Sequence, residues 1–112
     1  AADDYLTPEG RVDDHERIAY IHGHLGAVLE AIAAGVNVAG YFHWSLMDNF
    51  EWAEGYRRRF GLHYVEFESG RRVRKRSAYF YRQVAISNEL PPAPEPVLAD
   101  APLPAATGAR SQ

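Results

Sequence analysis

The sequence predicts an α/β fold: a helix, a buried strand, a long loop and a second helix, in that order. Three observations carry this. Apolar residues recur at helical spacing from Ile18 to Ile32, a run of branched and aromatic residues follows from Val36 to Trp44, and a second helical pattern ends near Asn88.

Residues 3–12 read as a polar loop punctuated by Pro8 and Gly10. Asp13, with Glu16 three residues on, forms a capping pair for the first helix. That helix carries Ile18, Ile21, Leu25, Val28, Leu29 and Ile32, whose 3-4-3 spacing marks one buried stripe. Gly35 suits its stop, because glycine adopts the left-handed conformation that ends helices. The segment "VNVAGYFHW" then fits a buried strand, with Val36, Val38, Gly40, Phe42 and Trp44 alternating onto one side. Gly40 in that run points to a close approach by a neighbour. Ser45 to Phe60 shows no periodicity, and loops of about that length inside compact domains are usually functional. "GLHYVEFE" makes a short strand. The last helix starts at Arg74 or Ser77 and runs to Asn88, with Tyr79, Phe80, Val84 and Ile86 available for packing.

From Glu89 the composition changes. Six of the seven prolines lie at or after Pro91, interleaved with alanine, and such a segment cannot bury a core. The expected organisation is therefore a folded part over residues 1–88 and a disordered Pro/Ala-rich tail over 89–112. No internal repeat is present.

Composition narrows the function classes. The 112 residues carry a net charge of −3, too mild to favour any partner by charge alone. There is no cysteine, hence no disulfide framework or thiolate chemistry. No apolar run of about 18 residues exists, so no membrane association is expected. No basic stretch with an apolar core precedes the chain, and the expectation is a cytoplasmic protein, with secretion left open because the true N-terminus is not seen. The run Arg71-Arg72-Val73-Arg74-Lys75-Arg76 lacks interleaved aromatics and reads as a solvated loop, not a nucleic-acid site. His22 and His24 are two apart and face different ways on a helix, whereas a metal pair would be spaced i, i+4. No metal or cofactor is expected.

The stretch Trp44-Ser45-Leu46-Met47-Asp48-Asn49-Phe50-Glu51-Trp52 is where chemistry concentrates. It sets two indoles, two carboxylates and an amide at a strand's end. A pyranose has apolar C–H faces that stack on indole and a rim of hydroxyls that carboxylates and amides can bind. Sugar is the ligand class this set of groups fits. The competing reading makes Trp44 core, Asp48-Asn49 a structural turn, and Glu51 a surface partner of Arg57, Arg58 or Arg59. Asp48 and Asn49 are read as holding the loop's backbone, and Tyr56 and Arg59 as scaffold.

The run "GYFHWSLMDNFEWAEGYRRRFGLHYVEF" resembles the last barrel strand and following loop of glycoside hydrolase family 1, the β-glucosidase family. Upstream, "DDYLTPEGRVDDHERIAYIHGHLGAVLEAIAAGVNVAG" is similar to the segment after that family's seventh strand. Downstream, "RKRSAYFYRQVA" is similar to its closing helix. Two mild departures are Phe80, where the family commonly has Trp, and Glu66, where it has Asp. The resemblance implies the C-terminal portion of a (β/α)₈ TIM barrel, about the last one and a half βα units. Such barrels need about 250 residues, so the rest of the barrel is required. It implies retaining hydrolysis of terminal β-glycosyl residues by two carboxylates about 5–5.5 Å apart, both expected upstream in Glu-Asn-Gly and Asn-Glu-Pro motifs that this chain lacks. Catalytic residues are thus none in this chain. By the same resemblance Trp44 is the stacking platform, Glu51 accepts from the 4- and 6-hydroxyls, Trp52 donates to the 3-hydroxyl, and Phe60 helps close the pocket. The expected partner is a β-glucoside or short oligosaccharide. The alternatives are a 6-phospho-β-glycosidase, or a non-catalytic carbohydrate-binding or structural remnant.

Overall fold

The computed structural model describes residues 4–95. The chain enters through a turn in which Gly10, at φ 79°, donates to the Thr7 carbonyl. It then forms α1, His15–Ala33. The expected capping pair is not what starts this helix. The cap position is Asp14, and its side chain makes no capping bond. Its carboxylate is drawn away to Arg17 and to the Ser77 backbone and hydroxyl, which offer a charge and two further donors. The helix ends as expected, with Gly35 at φ 94° and the Ala34, Gly35 and Val36 amides closing onto the carbonyls of its last turn.

Ile18 and Ile21 of α1 meet Leu62 and Phe80 in the core, and Leu25, Tyr41, Ala78, Tyr81, Val84 and Leu90 pack around them. Each such buried side chain contributes about 1.5–3 kcal/mol. The stripe is covered only over its first half. Leu29 is 52 % exposed and Ile32 is exposed too.

Residues 36–44, expected to be a strand, form no sheet ladder among the described residues. The physical reason is that a strand exists only through its neighbours, and the described residues put none beside it. Val36, Phe42 and Trp44 are correspondingly exposed.

The only sheet among the described residues is a hairpin of β1, His63–Val65, and β2, Arg72–Arg74. Its register pairs His63 with Arg74, Tyr64 with Val73 and Val65 with Arg72. β1 falls within the expected short strand. β2 was expected as loop. Its Arg-Val-Arg alternation leaves both arginines exposed and tucks Val73 partly inward, a strand pattern too short to stand out inside a basic run. Helix α2, Arg76–Ser87, begins and ends within two residues of expectation, and Asn88 caps it in the left-handed conformation at φ 55°. Beyond it, Leu90 packs on the core and the Pro91 carbonyl meets His22 Nε2 at 3.0 Å, so packing extends past residue 88. The Pro/Ala-rich stretch from 96 onward lies outside the described residues.

Candidate functional site

The loop of residues 45–60 is closed at its foot by main-chain bonds. Ser45 N–H donates to the Phe60 carbonyl at 3.1 Å, Leu62 N–H to Ser45 at 2.9 Å, Asp48 N–H to His63 at 3.0 Å and His63 N–H to Leu46 at 3.0 Å. Gly61 makes this possible. A Cβ there would lie 2.3 Å from the Met47 carbonyl carbon and the Asp48 nitrogen. The Trp44–Ser45 peptide at the start of the loop is cis.

Asp48 reinforces that closure with one buried carboxylate. Oδ1 accepts from Gly61 N at 3.0 Å and Lys75 Nζ at 2.7 Å, and Oδ2 accepts from Arg59 Nη1 at 2.7 Å and Val65 N at 3.3 Å. Arg59 is fixed in turn. Its guanidinium lies 4.1 Å from the Tyr64 ring centre and 4.5 Å from that of Phe67, and it donates to the Val65 carbonyl at 2.8 Å. Asn49 donates its amide to Ser45 Oγ at 3.2 Å and to the Met47 carbonyl at 3.0 Å. Asp48, Asn49 and Arg59 therefore hold backbone, as read from the sequence.

On this frame stand the four residues expected to meet sugar. Trp44 is 67 % exposed, and its indole N–H donates to Glu51 Oε1 at 3.1 Å. Glu51 is held by its own backbone, which donates to Gly55 at 2.7 Å and accepts from Glu54 at 2.8 Å. The expected competition for Glu51 from arginine is largely met by another residue. Glu54 takes Arg57, with Arg58 Nε 3.6 Å away, and Arg59 goes to Asp48. Trp52 opens a short 3₁₀ turn, Trp52–Glu54, with φ 45° and 85 % of its surface exposed. Phe60 lies beside Trp44 in a groove of about 680 Å³, whose other wall is Glu16, Arg17, Tyr20 and His24 of α1. The structure thus joins Trp44 to Glu51 by a hydrogen bond and to Phe60 by a shared groove. Trp52 stands next in sequence to Glu51 but does not line that groove.

Sequence reasoning missed the buried charges behind the loop. Lys75 also donates to Asp4 Oδ2 at 2.6 Å, and Arg17 bonds Asp4 at 2.8 Å, Asp14, and the Arg59 carbonyl at 2.8 Å. Burial pushes the Asp14 carboxyl above its usual range despite help from Ser77 and Arg17. Lys75 was hidden among arginines, and nothing in its neighbours' polarity marks it as buried. His43 was also missed. It lines the same groove, its Nε2 is buried without a hydrogen-bond partner, and desolvation lowers its pKa below 6.5. The histidines weighed as a metal pair go separate ways, His22 to Pro91 and His24 Nδ1 to the Tyr20 carbonyl at 2.8 Å.

The model of glycosyl hydrolase family 1 matches residues 1–90. The chain belongs to that family. It is 49% identical over 90 residues to beta-glucosidase A of Thermotoga maritima, covering 80% of this chain and 20% of that protein. It is 51% identical over 82 residues to a 6-phospho-beta-galactosidase of Streptococcus equi subsp. zooepidemicus, covering 73% of this chain and 18% of that one. Among solved structures it is similar to the beta-glucosidase from Thermotoga maritima in complex with cyclophellitol, with TM-score 0.78, 48% identity, and coverage of 80% of this chain and 20% of that chain. This glycosyl hydrolase family 1 chain thus spans about a fifth of the length of the relatives it matches.

Proposed function

We propose that this chain supplies the glycone-binding strand and loop of a retaining β-glucosidase, as the last one and a half βα units of its (β/α)₈ barrel. The nucleophile and the acid/base belong to the preceding part of that barrel. Trp44 stacks on the sugar face, Glu51 accepts from the 4- and 6-hydroxyls, Trp52 donates to the 3-hydroxyl and Phe60 closes the side. The observation that carries this is the Trp44–Glu51 pair, an exposed indole and a carboxylate held 3.1 Å apart beside an aromatic groove. The beta-glucosidase of Thermotoga maritima, with bound cyclophellitol, supports the same ligand class.

A second reading follows from the 6-phospho-beta-galactosidase relatives. Glu51 argues against it. A phosphate on the 6-position would face this carboxylate, and two like charges 4 Å apart at an effective dielectric of 20 repel by about 4 kcal/mol. The test is hydrolysis by the intact barrel protein of an aryl β-glucoside, an aryl β-galactoside and their 6-phosphates. Faster turnover of either 6-phosphate than of its parent sugar would overturn the reading.

A further inference from the structure

We propose that Lys75 is a positioning residue for the glycone loop. This rests on the reading of Glu51 and Trp52 given above. The Lys75 side chain is fully buried, and its ammonium joins two carboxylates distant in sequence, Asp4 at 2.6 Å and Asp48 at 2.7 Å. Its own backbone N–H donates to the Leu62 carbonyl at 3.0 Å, on the return side of the loop foot. Asp48 stands three residues before Glu51 and passes the constraint to Gly61, Arg59 and Val65. Lys75 therefore fixes the loop that carries the sugar-binding groups to the segment that leads into α1.

The charges around it close among themselves. Asp4, Asp14 and Asp48 face Arg17, Arg59 and Lys75, three anions against three cations. A cluster of this kind is poorly explained by stability alone, because well-packed apolar groups often serve stability as well or better. What it provides is direction. Each oxygen of Asp48 has two donors from different segments, which fixes the register of the loop foot. A guanidinium at position 75 would keep the charge but not the compact three-donor geometry of an ammonium.

The experiment compares Lys75→Arg with wild type in the intact barrel protein. The substrates are an aryl β-glucoside and the matching β-xyloside, which lacks the 6-hydroxymethyl group that Glu51 holds. Positioning predicts that the glucoside-to-xyloside ratio of kcat/KM falls by at least about tenfold, since small misplacements of binding groups carry large rate costs. Circular dichroism must show a wild-type fold, and Glu51→Ala must reduce the same ratio without adding to the Lys75→Arg effect. A folded Lys75→Arg enzyme with the wild-type ratio sinks the positioning role, whichever way Glu51 behaves. Glu51→Ala with an unchanged ratio sinks the assignment of Glu51 separately. Asp48→Asn is the second variant, and if neither it nor Lys75→Arg folds, the cluster is only a structural foundation and the proposal falls.

Discussion

Asp48 and Lys75, 27 residues apart, meet at 2.7 Å with neither side chain exposed to solvent. One comes from the foot of the loop and the other caps α2. Their contact ties the start of the final helix to the foot of the loop that carries Glu51 and Trp52.

The first expectation concerns that contact. Lys75→Met leaves Asp4 and Asp48 buried without their shared cation, and removing one partner of a buried pair costs roughly 3–5 kcal/mol. The urea midpoint of the intact barrel protein carrying this variant should fall accordingly. A midpoint equal to wild type would refute the stabilising role of this contact.

Gly61→Ala should be at least as damaging. Its Cβ would meet backbone at 2.3 Å, and backbone cannot step aside as a flexible side chain can. The loop foot must open, which breaks the Leu46–His63 and Asp48–His63 bonds. Amide exchange at residues 48, 62 and 63 should rise sharply, and protection equal to wild type would refute the close approach.

In the intact barrel protein, Glu51→Ala should lower kcat/KM by at least about tenfold. Charge-assisted hydrogen bonds are worth roughly 1.5–3 kcal/mol, and 1.4 kcal/mol is a factor of ten. The loss should reach kcat, because contacts to the ring tighten as it distorts toward the transition state. Trp52→Phe removes one N–H donor and should cost less. His22→Ala should leave kinetics unchanged, since its ring bonds the Pro91 carbonyl and lies beside the Phe80 ring. Wild-type kinetics for a folded Glu51→Ala protein would make Glu51 a plain surface carboxylate.

His43 sets a pH dependence. Desolvation lowers its pKa from 6.5, the Phe60 backbone raises it, and the positive charges of Arg17 and Lys75 lower it further, with Tyr41 and Tyr81 close by. Between the lowered value and 6.5 the unfolded chain binds more protons than the folded one, so stability rises with pH. The contribution is complete above 6.5 and is lost as pH falls through the folded pKa. His43→Phe should flatten this segment of the stability–pH curve, measured by urea midpoints at fixed ionic strength. An unchanged slope would assign it to another group.

The parts of this architecture legible in the sequence were those written in local pattern. The 3-4-3 stripe gave α1 and Gly35 its end, and the Trp44–Trp52 stretch marked the loop on which the proposed function rests. Asp48 and Arg59 were correctly read as structural. What pattern could not show was pairing at a distance. Asp14 stands at the cap position of α1, yet its carboxylate is taken by Ser77 from 63 residues away. Lys75 looks like one of several exposed basic residues until Asp4 and Asp48 close over it. The run from Val36 to Trp44 has strand composition, but a ladder also needs partners that the described residues do not supply.

The loop foot also bears on how this family can be recombined. Residues 45–48 and 60–63 hold each other through main-chain bonds, with Gly61 and Asp48 the positions whose identity the closure needs. The span between them is therefore an exchangeable cassette, with crossover points at Leu46 and Leu62. Swapping it with the matching span of a 6-phospho-beta-galactosidase relative would test the proposed role of Glu51 and Trp52 on an unchanged frame, provided that Gly61, Asp48 and Arg59 travel together.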